Sequence, residues 1–147
     1  MKGMKKLLRF VTRALCYVWA LPVTALGLTF VLPTLLTGGR VRLERGALEV
    51  YGGFARFFLR HCLLIHASAM CLGHVILAQD RESIDHTRDH EHVHVRQCER
   101  WGLFIVPAYI LSSFLAWRRG ENFYFDNMFE REAYGLDARR AAERGNQ

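Results

Sequence analysis

The stretch "DHEHVHVRQCERW", residues 89–101, carries the motif that decides both the fold and the chemistry expected of this chain. Its first part is H-E-x-x-H, with His90 and His94 as the two histidines and Glu91 beside the first. Residues four apart on an α-helix lie about 40° apart around its axis, so both imidazoles project from one face and can bind one zinc ion. Glu91 lies next to that face, where its carboxylate can accept a proton from a metal-bound water.

The motif needs a third ligand, because a histidine-rich amphipathic helix without metal would show the same local pattern. His92 lies about 200° from His90 around the helix, so we exclude it from the site and expect a solvated or packing residue. The segment "NMFEREAY" offers Glu130 and Glu132, of which only one can face a given metal. Apolar neighbours favour an inward Glu130, and Tyr134, one turn later, can hold its carboxylate.

Composition and charge indicate a membrane-attached segment joined to a polar globular part. The 147 residues suffice for one compact domain, and 51% of them are apolar or aromatic while 23% are charged. The net charge is +6, but the sequence has no basic stripe interleaved with aromatic residues of the kind that binds nucleic acid. Contact with an anionic membrane surface is therefore favoured over nucleic-acid binding. The four cysteines form no C-x-x-C, which argues against a disulfide framework or a cysteine metal site and favours small buried residues.

The charge and apolar pattern of residues 1–39 predicts a retained membrane anchor. Residues 1–13 are basic without an acid, and residues 14–39 carry no charge, which exceeds the roughly 20 residues that cross a bilayer. A cleaved signal peptide would have a shorter apolar run followed by an A-x-A site. We therefore assign residues 1–13 to a basic segment, 14–37 to a transmembrane anchor and 38–147 to a folded domain. The N-terminal charges favour a cytoplasmic N-terminus, but the arginines directly after the span weaken that bias.

The pattern of residues 38–147 predicts an α+β domain. A β-hairpin turns at Arg45-Gly46, and His74 falls in a strand broken by Gly73, where a packing role is the usual one. The uncharged run before Arg118 contains Pro107 and is short for a span, which favours a core helix in reach of lipid over a second crossing. The predicted elements are a hairpin over 40–53, a short amphipathic helix over 54–67, a strand over 69–78, a helix over 85–101, a helix over 102–117 and a helix over 128–145.

The order of these motifs resembles a known family. "HEHVHVRQCERWG", preceded by "MCLGHVILA" and followed by "NMFEREAY", is similar to small gluzincin-like HExxH metallopeptidase domains of the DUF4157-like kind and their membrane-anchored bacterial relatives. The resemblance covers about residues 69–135. It implies a zincin-like domain in which His90, His94 and Glu130 bind zinc and Glu91 is the general base. It also implies that an extended peptide pairs with an edge strand over residues 70–77.

Two departures from the family pattern concern the surroundings of the site. Cys71 replaces the usual threonine, and Tyr134 stands where related peptidases often carry an aspartate four residues after the ligand glutamate. No oxyanion stabiliser is obvious, and Tyr109, Tyr124 and His74 are the candidates.

Three functions are consistent with these patterns. The first is a zinc metallopeptidase held in the bacterial inner membrane by a single N-terminal span, with a peptide or protein substrate and no nucleic-acid partner. The second is a non-catalytic membrane protein whose metal site is structural or vestigial. The third is a membrane interaction protein without metal.

Overall fold

The computed structural model describes residues 2–63 and 65–145, which fold as α+β with a long apolar N-terminal helix and a small mixed sheet. Ten principal elements follow in chain order: α1 (Lys2–Leu28), α2 (Val31–Leu36), β1 (Arg40–Glu44), β2 (Ala47–Tyr51), α3 (Gly53–His61), β3 (Ala69–Leu72), β4 (Val75–Ala78), α4 (Arg81–Trp101), α5 (Ile105–Arg118) and α6 (Met128–Gly145). A short 3-10 helix, Gly102–Phe104, joins α4 to α5.

The four strands form one sheet in the order β1-β2-β4-β3. The predicted hairpin over 40–53 is confirmed: β1 and β2 pair antiparallel around Arg45 and Gly46, whose φ angles are 49° and 86°. The prediction of one strand over 69–78 is wrong, because Gly73 with φ 67° reverses the chain and divides it into the antiparallel pair β3 and β4. Of these two strands only β3 lies at an edge of the sheet, while β4 lies inside it, parallel to β2.

The two faces of the sheet pack against different helices. On one face, Ile76 and Ala78 meet Ile84 and Val95 of α4. On the other, Val75 and Leu77 pack against Ala55 and Leu59 of α3. Alternate residues of β4 thus point into separate apolar layers, which explains why all four of its residues are buried.

Helix α1 shares its core with the remainder of the chain. Its Ala20 and Val23 belong to the same buried cluster as Cys98 of α4 and Phe129 of α6. The phenol of Tyr17 donates a hydrogen bond of 2.8 Å to the carbonyl oxygen of Gly46 in the hairpin turn. The predicted anchor, 14–37, is therefore packed along one face against the predicted domain, 38–147.

Several boundaries differ from those predicted. Helix α3 ends at His61, well short of residue 67, and α4 begins at Arg81 because Asp80 caps it by accepting a 2.8 Å hydrogen bond from the backbone N–H of Ser83. All four cysteines are free, but the expectation that they are buried is confirmed only for Cys98; Cys16 and Cys71 are half-buried, and Cys62 is exposed.

The prediction that α5 is a core helix is also wrong, since only Ile105 and Ala116 among its residues are buried. By length and composition, two helical stretches can cross a membrane, Gly3–Leu36 and Arg81–Arg118, the second formed by α4, the 3-10 helix and α5 together.

Candidate metal centre

Two helices that are separated in the sequence bring the predicted ligands together. Helix α4 carries His90 and His94 one turn apart, and its buried positions include Ile84, Val95 and Cys98, which fix the helix against the sheet and α1. The first two turns of α6 bury Phe129, Glu130 and Ala133, so Glu130 faces inward as its apolar neighbours predict.

The three candidate ligand side chains form a closed triangle. The Nε2 atoms of His90 and His94 lie 3.1 Å apart, His90 Nε2 lies 3.3 Å from Glu130 Oε2, and His94 Nε2 lies 3.5 Å from Glu130 Oε1. One ligand atom from each residue lies within 4.8 Å of the other two. A tetrahedral zinc ion with bonds of about 2.0–2.1 Å separates its ligand atoms by about 3.3 Å. The distance between the two Nε2 atoms is close to this value, while the two contacts to Glu130 end on different carboxylate oxygens, so a single zinc ion would take one of those oxygens as its third ligand.

Each candidate ligand is held from behind by a second side chain. His90 Nδ1 lies 2.9 Å from Asp137 Oδ2, and His94 Nδ1 lies 2.9 Å from Gln97 Oε1. Tyr109 of α5 donates a 2.7 Å hydrogen bond to Glu130 Oε1. Such partners fix the orientation of an imidazole and direct its other nitrogen toward a metal. Both Nε2 atoms accordingly point at Glu130.

Sequence reasoning missed Asp137 and Gln97 as parts of this site. Asp137 follows Glu130 by seven residues, which is about two helical turns, so both lie on one face of α6. Gln97 follows His94 by three residues and lies on the neighbouring part of the α4 face. Its amide also donates hydrogen bonds of 3.0 Å to the carbonyl of Phe129 and 2.9 Å to Glu132 Oε2, which ties α4 to α6.

The other predicted site residues lie in several places. Tyr134 does not hold Glu130; its ring packs on His90 with centroids 4.6 Å apart. Tyr109, named as an oxyanion candidate, holds Glu130 instead. Glu132 is exposed and contacts Gln97, as expected of the glutamate that faces away from the histidines.

His74 lies away from the triangle. It stacks on Tyr17 of α1 with ring centroids 3.9 Å apart, and its Nε2 lies 3.1 Å from Glu99 Oε1. His74 is therefore a packing residue that joins α1, the β3–β4 turn and α4. The expected packing role is confirmed, and the suggestion that it stabilises an oxyanion is not supported by its position.

Glu91 combines burial with an unsatisfied carboxylate oxygen. Its side chain is 5% exposed, and its Oε2 has no hydrogen-bond partner among the described residues. Burial raises its pKa, the neighbouring His94 and His90 oppose that rise, and the result is a pKa of about 7. A carboxylate with a pKa near neutrality can both accept and return a proton at physiological pH. A divalent cation bound nearby would oppose this rise and lower the pKa of Glu91.

Within the triangle, the carboxylate of Glu130 and the imidazoles of His90 and His94 each favour the charged form of the other. Burial alone would lower the pKa of His94, but its hydrogen bond to Glu130 and the charge of Glu91 raise it to about 9. Burial likewise opposes ionisation of Glu130, but hydrogen bonds to His90 and His94 lower its pKa to about 2. Without a metal, these side chains form a protonated imidazole–carboxylate cluster. A cation would displace the imidazole protons and take their place between the same atoms.

His92 is buried, with 8% of its surface exposed, and lies outside the triangle. Burial lowers its pKa, as does the nearby guanidinium of Arg45, so the ring is neutral at physiological pH. Of the two expected roles, solvated or packing, the structure shows packing.

Comparisons with known proteins add no relative. No protein-family model matches the chain, and searches of curated proteins and of solved structures find no significant match.

Proposed function

We propose that this chain is a membrane-anchored zinc metallopeptidase in which His90, His94 and Glu130 bind the metal. The observation that carries the proposal is the convergence of His90, His94 and Glu130, which each offer one ligand atom within 4.8 Å of the other two, as a single bound cation requires. Two imidazoles and one carboxylate form a donor set typical of catalytic zinc sites, which keep a fourth position for water or substrate. Bound zinc would polarise a substrate carbonyl and lower the pKa of an attacking water.

The chain's own residues supply the proton transfers and the orientation. Glu91, buried and with one free oxygen, accepts the proton of the attacking water and returns it to the leaving amine. Asp137 and Gln97 hold the two imidazoles, and Tyr109 holds Glu130, so neighbouring side chains orient all three ligands before a metal binds. Tyr124 is half-buried, and burial together with the charge of Glu130 raises its pKa, so its phenol stays protonated and is a candidate donor to a developing oxyanion.

The membrane part of the proposal rests on α1 and α5. Helix α1 is long and apolar enough to span a bilayer, and most of its apolar residues are exposed. Helix α5 exposes a second apolar surface and also carries Tyr109, which contacts the ligand Glu130. A substrate peptide bond next to the bilayer is therefore the class that this arrangement favours.

Zinc analysis of the purified full-length protein in detergent tests the metal site. We expect one zinc per chain, lost in His94→Ala and in Glu130→Ala. The matched controls are His86→Ala, an exposed histidine on α4, and Glu143→Ala, an exposed glutamate on α6; both should retain zinc. Zinc that survives removal of Glu130, or that is absent from the wild-type protein, would refute the assignment of ligands.

Hydrolysis of a fluorescent casein substrate in the presence of the same detergent tests catalysis. Glu91→Gln should retain zinc and lose peptidase activity, by a factor of roughly 100 or more, because general-base catalysis contributes about that much. A protein that binds zinc through the triangle, unfolds at lower temperature when zinc is removed and hydrolyses no peptide would instead have a structural metal. That alternative agrees with the way the triangle joins α4 to α6.

A further inference from the structure

A polar cleft lies between the first half of α1 and α4, away from the triangle of candidate zinc ligands. Its volume is about 750 Å³, and one wall is formed by residues of α1 from Leu8 to Cys16 while the other is formed by residues of α4 from Asp89 to Glu99. The hairpin turn contributes Arg45. None of the predicted zinc ligands lines this cleft.

The cleft carries more positive charge than its own carboxylates can balance. Five arginines line it, against two acidic residues, which leaves an excess of three positive charges. Both acids already have partners: Asp89 Oδ1 lies 2.7 Å from Arg45, and Glu99 Oε1 lies 3.1 Å from His74. The fifth lining arginine, Arg140, donates a 3.3 Å hydrogen bond to the backbone oxygen of Asp89.

The remaining three arginines face the cleft without a carboxylate. Within residues 2–63 and 65–145, Arg9 and Arg13 of α1 and Arg96 of α4 form no ion pair. Guanidinium groups on two facing helices repel one another unless an anion lies between them. The paired N–H donors of a planar guanidinium match the spacing of two phosphate oxygens, which makes phosphate a better partner than a monatomic anion.

The position of the cleft along α1 indicates where a phosphate group would come from. Arg9 and Arg13 directly precede the uncharged run over residues 14–39. If that run enters a bilayer, these arginines lie at the level of the lipid headgroups, where anionic phospholipids attract basic residues. An acyl chain attached to such a headgroup would lie beside the exposed apolar side of α1.

We propose that this cleft binds a phosphate group through Arg9, Arg13 and Arg96, with an anionic phospholipid headgroup as the source that its position favours. A phosphate ester free in solution presents the same oxygens, so the source is decided by experiment. The site is independent of the proposed peptidase activity, since it shares no ligand with the metal centre.

Binding of short-chain phosphatidic acid to the full-length protein in neutral maltoside micelles tests the proposal, with short-chain phosphatidylcholine and inorganic phosphate as comparison ligands. We expect saturable binding of phosphatidic acid, weakened about tenfold or more when Arg9, Arg13 and Arg96 are all replaced by glutamine. The matched control replaces the exposed Arg118, Arg131 and Arg139 by glutamine, which removes the same charge elsewhere. Its affinity should stay within about twofold of wild type.

The outcomes separate a built site from general attraction. Inorganic phosphate that binds as tightly as phosphatidic acid, and is lost in the cleft variant alone, supports the site and assigns it to a soluble phosphate compound. Equal losses in the cleft and control variants, or the absence of saturable binding by either ligand, would overturn the proposal. Zinc content, measured on the same samples, should be unchanged in both variants, which keeps this result distinct from that of the metal centre.

Discussion

Asp137 is the residue whose contribution to the proposed metal centre can be isolated most cleanly. Its carboxylate lies 2.9 Å from the nitrogen of His90 that faces away from Glu130. Removal of such a partner frees the imidazole to rotate and typically costs 10–100-fold in metal affinity. We expect Asp137→Ala to weaken zinc binding within that range, as measured by competition with a chelator of known affinity.

Glu143→Ala is the control for Asp137→Ala, since Glu143 is an exposed carboxylate on the same helix. It should leave the zinc affinity unchanged. If Asp137→Ala binds zinc within about twofold of wild type, Asp137 does not act on the metal through His90.

The protonation of His94 predicts how the metal-free protein responds to pH. In the folded protein the pKa of His94 is about 9, above the value of about 6.5 expected in the unfolded chain. The contribution of His94 to the free energy of unfolding is therefore fully present below pH 6.5 and is lost as the pH rises to 9. Glu91 acts in the same direction at lower pH, because its raised pKa of about 7 makes ionisation destabilising between about pH 4.5 and 7. The metal-free protein should therefore melt at a lower temperature at pH 9 than at pH 7.

The same titration makes zinc binding tighter as pH rises, because zinc displaces the imidazole protons. Calorimetric melting of chelator-treated and zinc-loaded protein at pH 7, 8 and 9 measures both effects. His94→Gln removes the titrating group, so its metal-free form should lose less stability over this range than the wild-type protein. An identical decline in both proteins would show that other groups control the pH response.

At the scale of secondary-structure elements, the turn between β3 and β4 depends on the small size of Gly73. Gly73 has φ 67°, and a Cβ there would lie 2.6 Å from the backbone nitrogen of Thr24 in α1. Backbone atoms cannot move aside as a flexible side chain can, so Gly73→Ala should both strain the turn and displace α1. Gly120 has φ 77° but no atom within 4 Å of the corresponding position, which makes Gly120→Ala a control for strain alone.

We expect Gly120→Ala to cost about 1–2 kcal/mol, the usual penalty for a left-handed alanine, and Gly73→Ala at least twice as much. Urea unfolding of the full-length protein in detergent, followed by circular dichroism, measures both. Equal losses for the two variants would mean that α1 does not pack closely on this turn.

The elements also show how far the sequence alone predicts this structure. Alternation over residues 40–53 predicts the β-hairpin because Arg45-Gly46 is a strong local turn signal. The turn at Gly73 escapes prediction because, apart from His74, the residues around it are apolar and give no turn signal, and its position is set by contact with α1, which is distant in sequence. The local spacing of H-E-x-x-H predicts which two imidazoles share a face, but the orientation of each ring depends on side chains from other turns.

At the scale of the whole molecule, α5 decides how the protein meets the bilayer. Its short length and Pro107 predict a core position, yet its Ile110 and Leu111 are 63% and 56% exposed. The 17 residues from Trp101 to Trp117 extend about 25 Å as a helix, less than the roughly 30 Å of the hydrocarbon layer. Tryptophans at both ends of an apolar helix are typical of residues at the membrane interface.

The position of α5 relative to α1 supports contact of both helices with lipid. Trp19 of α1 and Phe104, just before α5, have ring centroids 6.1 Å apart, so the two apolar surfaces adjoin. The inward side of α5 carries Tyr109, whose hydroxyl contacts Glu130. A bilayer that covers the outward side of α5 would therefore lie one helix diameter, about 10 Å, from the proposed metal centre.

Photocrosslinking of the full-length protein in vesicles measures this placement directly. Benzoylphenylalanine placed at Ile110 or Phe114 of α5 should form adducts with phospholipid, as it should at Leu21 of α1, because all three side chains are exposed in the folded chain. The same probe at Arg131, an exposed position on α6, should form none. Adducts at Leu21 without adducts at Ile110 or Phe114 would mean that α1 alone enters the bilayer and that the apolar side of α5 faces something other than lipid. In that case the proposed preference for peptide bonds next to the membrane would lose its structural basis, while the metal centre itself would be unaffected.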